Sequence, residues 1–261
     1  MIAYTQNHIK KTLLIGLTLF IGNSSIAQDK KEFKDKYETH FGFQGKVLLP
    51  NNFISSKTVN MINQSFEVNM TETNGVAYGA IIRKTYNEKF SIETGLNYYF
   101  RNFSFVSTVK DSNASATGNF TFTNFEVPLY GFVFIKLSNE VYANTALGLN
   151  FNYKPSAVES AEIANNQKFT NRGIPLSSFG LDVAAQFGFE YRTRRSGMFY
   201  LGGNVKVPLT PLFNILSIYQ KGGNAIKMAG KYQGSLFSID LRYYFPEIKN
   251  KGSQPLQGPI E

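Results

Sequence analysis

Residues 179–192 read Phe179-Gly180-Leu181-Asp182-Val183-Ala184-Ala185-Gln186-Phe187-Gly188-Phe189-Glu190-Tyr191-Arg192. Every second residue from Phe179 to Tyr191 is uncharged and mostly apolar. The interleaved set, from Gly180 to Arg192, holds Asp182, Glu190 and Arg192 among small and polar residues. A period of two is a strand, because successive side chains point to opposite faces. A strand this long and this one-sided fits a soluble barrel or sandwich with its apolar face inward. It equally fits a membrane barrel with that face toward lipid.

The same alternation recurs outward from this stretch. It predicts strands at about 38–49, 75–86, 90–108, 120–138 and 141–154 before it, and at about 198–209 and 233–245 after it. In the fourth of these, Phe120 and Phe122 fall out of phase with Phe125, Val127 and Leu129, which predicts a bulge near Thr123-Asn124. Pro128 has no donor for a ladder and predicts an irregularity of its own. The connections alternate in length. Segments 50–74, 155–177 and 210–232 are long and polar, as is the loop around Lys110–Ser115. Asn87–Lys89, Ser138–Glu140 and Thr193–Gly197 are short. Segment 50–74 keeps a weak alternation around Phe66, Val68 and Met70 and reads as a projecting hairpin. Segment 157–165 reads as a helical turn or two.

Two patterns decide between lipid and core. All long loops leave one end of an up-and-down meander and all short turns the other, the asymmetry of outer-membrane barrels. The charges also keep to one phase: Lys46, Arg83, Glu93, Arg101, Glu126, Lys136, Asp182, Glu190, Arg192, Lys206, Asp240 and Arg242. The other phase carries only Lys84, at a turn. A charge on a lipid-facing midplane position costs about 2–4 kcal/mol, so that face stays clear. The expectation is an all-β fold: an eight-stranded antiparallel up-and-down transmembrane β-barrel with short periplasmic turns and long extracellular loops, in the outer membrane.

The chain divides accordingly. Residues 1–27 read as a signal peptide: Lys10-Lys11, an apolar run Leu13–Ile21, then Ser25-Ile26-Ala27. Residues 28–37 are a periplasmic segment, 38–245 the barrel and 246–261 a flexible periplasmic tail. The chain has no Cys, so no disulfide framework forms. The formal charge of +9 falls to about +7 without Lys10 and Lys11, and the basic residues are scattered, which argues against nucleic acid.

An eight-stranded interior is just wide enough for side chains to fill. Charges buried there need partners. Glu93, Glu126, Asp182, Glu190 and Asp240 are therefore expected to pair with Arg83, Arg101, Lys136, Arg192, Lys206 and Arg242, with Tyr99, Tyr130, Phe132, Tyr200 and Tyr244 filling between them. His40 reads as an interfacial residue, and no nucleophile–base constellation or metal-ligand cluster stands out. No cofactor and no catalytic residue is expected.

Phe41-Gly42-Phe43, Phe125-Glu126-Val127-Pro128-Leu129 and the ending Leu241-Arg242-Tyr243-Tyr244-Phe245 resemble the PorT-like family of bacterial outer-membrane β-barrel proteins, over about residues 38–245. The resemblance implies insertion by the barrel-assembly machinery, and for some members a link to type IX protein secretion. The expected partners are outer-membrane lipid, the assembly machinery and periplasmic or secretion-system proteins. Three readings stand: a non-enzymatic barrel acting through its extracellular loops in surface interaction or envelope integrity; an accessory component of a type IX-like secretion system; and a soluble periplasmic lipocalin-like binding barrel with the aromatic phase inside.

Overall fold

The computed structural model describes residues 38–246 apart from 53, 64, 194 and 195. The expected signal peptide, the 28–37 segment and the tail from 247 lie outside the described residues. Thirteen strands follow in order: β1 Glu38–Pro50, β2 Thr58–Asn63, β3 Phe66–Asn87, β4 Phe90–Val109, β5 Ala114–Lys136, β6 Val141–Tyr153, β7 Val158–Ala164, β8 Gln167–Ile174, β9 Phe179–Arg192, β10 Met198–Pro208, β11 Phe213–Lys221, β12 Asn224–Tyr232 and β13 Leu236–Tyr244. A single 3-10 turn, Lys110–Ser112, joins β4 to β5. No helix among the described residues is long and apolar enough to cross a membrane.

All pairings are antiparallel. β1 pairs with β13 on one side and β3 on the other, so hydrogen-bonded pairing runs in a ring through β1, β13, β10, β9, β6, β5, β4 and β3. These are the eight strands read from periodicity, and β3 and β5 begin well before the expected positions. The short turns are built from local chemistry. Asn87 Oδ1 accepts from the N–H groups of Lys89 and Phe90, and Ser138 Oγ accepts from Val141 N–H. Thr193 Oγ1 accepts from Ser196 N–H, beside Gly197 at φ 83°.

The apolar phase faces outward around the ring. Phe43, Leu147, Phe187, Leu201 and Leu241 are all more than half exposed, and the opposite phase is buried. This overturns the lipocalin-like reading, which needs the aromatic phase inside. On β5 the outward apolar band runs from Phe125 to Ile135. At about 3.4 Å per residue and a tilt near 40°, those ten steps span about 26 Å, matching the ~25 Å apolar band of such barrels. Aromatic pairs mark both margins: Tyr98–Phe125 and Tyr153–Phe179 at the long-connection end, Phe43–Phe245 and Phe199–Tyr243 at the short-turn end.

Above the first margin the polarity inverts. Phe120 and Phe122 are buried, as are Phe103 and Phe105 on β4 and Phe66, Val68 and Met70 on β3. The bulge expected near Thr123-Asn124 does not occur: Phe100–Thr123, Tyr98–Phe125 and Thr94–Leu129 keep one register. Phe120 and Phe122 share the inward phase of Glu126. Only the solvent outside has changed, from lipid to water, so the apolar residues turn inside. Opposite Pro128 the β4–β5 ladder is interrupted without a shift, as its missing N–H requires. The register shifts lie on β3, between Thr73 and Val76 and between Thr85 and Asn87.

The long connections are ordered. The helical turn expected at 157–165 is absent; β7 and β8 form a hairpin there, joined by Asn165-Asn166, both at positive φ. Segment 210–232, expected as a loop, is the hairpin β11–β12, turned by Gly222-Gly223, also at positive φ. Two successive positive φ values suit the twist of a tight hairpin. The sheet β12-β11-β8-β7 packs on the projecting parts of β2–β5, and Phe120, Phe122, Phe169, Phe213 and Ile215 lie buried between them.

Candidate functional site

The interior of the strand ring is the chemically distinctive part of this molecule. Its inward side chains form three tiers, set by strand register rather than by sequence proximity.

The first tier lies near the short turns. Arg83 on β3 donates Nε to Glu93 at 2.9 Å, and its remaining nitrogens to Glu190 and to the Tyr244 hydroxyl. Tyr244 in turn donates to Glu93. Arg242 completes the set, bonding Glu93 at 2.7 Å and Asp240 at 3.1 Å. Arg192 bonds Glu190 at 2.7 Å. Rings back these cations: Arg83 lies over Tyr244 at 4.2 Å, Arg242 over Tyr200 at 4.5 Å and Arg192 over Tyr142 at 4.0 Å. Such stacking suits a delocalised guanidinium in a dry site.

In the second tier, Lys46 meets Asp240 at 2.9 Å. Lys206 meets Glu126 at 2.8 Å and Asp182 at 3.6 Å. Glu126 also accepts from Tyr99 at 2.8 Å and Asn97 at 3.2 Å, and Asn97 accepts from Gln44. In the third tier, Arg101 makes a bidentate pair with Glu72, at 2.6 and 2.9 Å, and donates to the Gly234 carbonyl at 2.9 Å. Tyr232 donates to the same carboxylate. Burial, then Glu72, pushes the Tyr232 phenol above its ordinary range.

Ten of the eleven sequence-predicted charges meet in this way. Lys136 does not: it is exposed at the end of β5 and makes no ion pair among the described residues. The fourth-strand phase had placed it inward; the ladder ends there and the side chain reaches water. His40 is also corrected, since it faces inward, buried, with Glu38 at 3.6 Å. Sequence reasoning missed Glu72, which fell inside a presumed loop, and left Lys46 on the polar phase without assigning its partner.

Tyrosine rings fill the space between tiers by lying over glycines of neighbouring strands. A Cβ on Gly148 would meet the Tyr130 ring at 2.3 Å, and one on Gly202 would meet the Tyr200 hydroxyl at 2.1 Å. At the short-turn end a cavity of about 580 Å³ remains, lined by Glu38, His40, Arg83, Glu190, Arg192 and Phe245 among others. No group of His, Cys, Asp or Glu among the described residues is arranged to hold a metal ion.

Residues 12–214 match the outer membrane protein beta-barrel domain. This chain belongs to that family. As an outer membrane beta-barrel protein it resides in the outer membrane, with its exposed apolar band against lipid and its charges inside. Among solved structures it resembles the outer membrane protein OprG from Pseudomonas aeruginosa, at 11% identity, 80% of this chain, 96% of that one and a TM-score of 0.46. It also resembles the beta domain of the Bordetella autotransporter BrkA, at 8% identity, 80% of this chain, 98% of that one and a TM-score of 0.30. No curated protein matches it.

Proposed function

We propose that this outer membrane barrel crosses the bilayer with eight strands and is a non-enzymatic, closed barrel. Its short turns face the periplasm, its long connections face the exterior, and it acts through them in surface interaction or envelope integrity. The supporting observation is that buried ion pairs cross the interior above the cavity at its short-turn end. Arg83, Glu93, Arg242, Asp240 and Lys46 form one continuous chain of ion pairs, and Arg101 with Glu72 stands above them. Tyr99, Tyr130, Tyr200 and Tyr244 lie buried beside it. Passage of a hydrated solute would require several buried pairs to break, at about 3–5 kcal/mol each. Long hairpins with their own apolar core make a rigid platform rather than a set of loose loops. Within this reading, the finer PorT-like kinship rests on the three motifs quoted above.

The test is conductance of the refolded full chain in planar bilayers. The expected result is a flat current trace. Stable, reproducible conductance steps would sink the closed-barrel reading.

A second reading, an accessory role in a type IX-like secretion system, is favoured by the polar cavity at the short-turn end. It predicts that deleting residues 28–37 and 246–261 abolishes secretion while insertion stays normal.

A further inference from the structure

The sheet β12-β11-β8-β7 has a buried face and an outward face, and the outward face is cationic. Lys168 and Arg172 on β8, and Lys227 and Lys231 on β12, are exposed on it, with Lys221 beside the hairpin turn. Arg172 pairs with Glu159 at 2.9 Å. None of the four lysines makes an ion pair among the described residues. Between the cations the same face carries apolar side chains: Ile218 lies between Thr170 and Lys227, and Leu216 between Arg172 and Ala229. From Thr193 to Ile239 the chain has no Asp or Glu. Away from this face, Lys110 pairs with Glu67 at 3.4 Å.

The position of this face matters as much as its sign. Its strands continue those of the ring: β7 follows β6, β8 leads into β9, β11 follows β10 and β12 leads into β13. Their outward side chains therefore stand on the lipid-facing side, above the aromatic margin. Arg172 is seven residues before Phe179, and Lys231 six before Phe237. At about 3.4 Å per residue and a tilt near 40°, that places the nearer cations up to ~15–18 Å above the margin. A simple phospholipid headgroup layer is only about 5–7 Å deep on each side. Phosphates carried on sugars reach higher.

We propose that the outward face of the β7–β8–β11–β12 sheet binds the phosphorylated saccharide headgroup of the outer-leaflet glycolipid around the barrel. Lys168, Lys227 and Lys231 take the phosphates, and Leu216 and Ile218 lie against the sugar faces. The inference rests on the outward orientation of the long connections. It commits to a lipid-borne phosphate because the face is continuous with the lipid-facing wall.

The experiment titrates the full chain in detergent micelles with purified lipopolysaccharide and with the same glycolipid after enzymatic dephosphorylation. The triple variant K168Q/K227Q/K231Q is compared with the unaltered chain, and a heat-dependent gel shift confirms that both are folded. A lysine near an anionic surface is worth about fivefold in binding, so three give roughly 100-fold. The expected result is a loss of that size in the variant, and a comparable loss on dephosphorylation. Equal binding by variant and unaltered chain overturns the proposal, as does indifference to the phosphates. Displacement of the glycolipid by free polyphosphate at matched charge also overturns it, assigning the face to a soluble polyanion. Labelling of intact cells with a membrane-impermeant amine reagent separates the two levels. Lysines 168, 227 and 231 unlabelled until the envelope is broken would refute the orientation itself. Labelled lysines without glycolipid binding would refute only this inference.

Discussion

Replacing Arg83 by Met tests whether the interior network holds the barrel together. Arg83 is almost fully buried and bridges two carboxylates, Glu93 and Glu190. Removing one partner of a buried pair costs about 3–5 kcal/mol, because the other charge stays buried. Here each carboxylate keeps a second cation, Arg242 on Glu93 and Arg192 on Glu190, both at 2.7 Å. The low end therefore applies, about 3 kcal/mol, or roughly a 150-fold shift in the folding equilibrium. Removing Glu190 with Arg83, as R83M/E190Q, deletes opposite charges together. Arg192, partly open to the mouth, can then turn to water. The double variant should fall at least 1 kcal/mol short of the sum of the singles, the coupling expected of residues in one network. Urea unfolding in phospholipid vesicles measures this, followed by the heat-dependent gel shift and by tyrosine emission, since the chain has no Trp. A cost below 1 kcal/mol for R83M, or strict additivity in the double variant, would refute the argument.

Gly148→Val places carbon where the Tyr130 ring lies, and overpacking of this kind costs about 1–3 kcal/mol; the same unfolding assay reads it, and an unchanged midpoint would count against the packed interior. Leu147→Lys, at an exposed position of the apolar band, should cost about 2–4 kcal/mol in lipid vesicles and much less in detergent-rich micelles, where water is close; equal cost in both would mean the band does not face lipid. Phe213→Ala empties a position ringed by Phe103, Phe122 and Tyr232, at about 3–5 kcal/mol. Limited proteolysis should then cut hairpin β11–β12 while the gel shift of the barrel persists. The raised phenol of Tyr232 favours the folded state fully below the ordinary tyrosine range, and that stability is lost as pH rises above it. Alkaline unfolding monitored by phenolate absorbance should thus be less steep in Tyr232→Phe.

The amino-acid sequence alone determined the eight ring strands and the segregation of charge. Both follow from period-two alternation, which is local, and from the cost of charge in lipid, which leaves one phase clear across β1 to β13. It also determined that Glu93, Glu190, Arg83 and Arg242 share an interior, because all sit on the polar phase. It held the signals for the outer hairpins as well, Asn165-Asn166 and Gly222-Gly223, but these are short and lie in segments with weak alternation. Tertiary structure decided what alternation cannot. Which carboxylate meets which cation depends on register across non-adjacent strands: Lys206 reaches Glu126 from three strands around the ring, and Glu72 reaches Arg101 only because β3 extends past its register shift. Whether Phe120 and Phe122 are out of phase or inside depends on where the membrane ends. The same inward phase is polar where lipid lies outside and apolar where water does. A strand's periodicity reports that its two faces differ; the medium on the far side decides which face is buried.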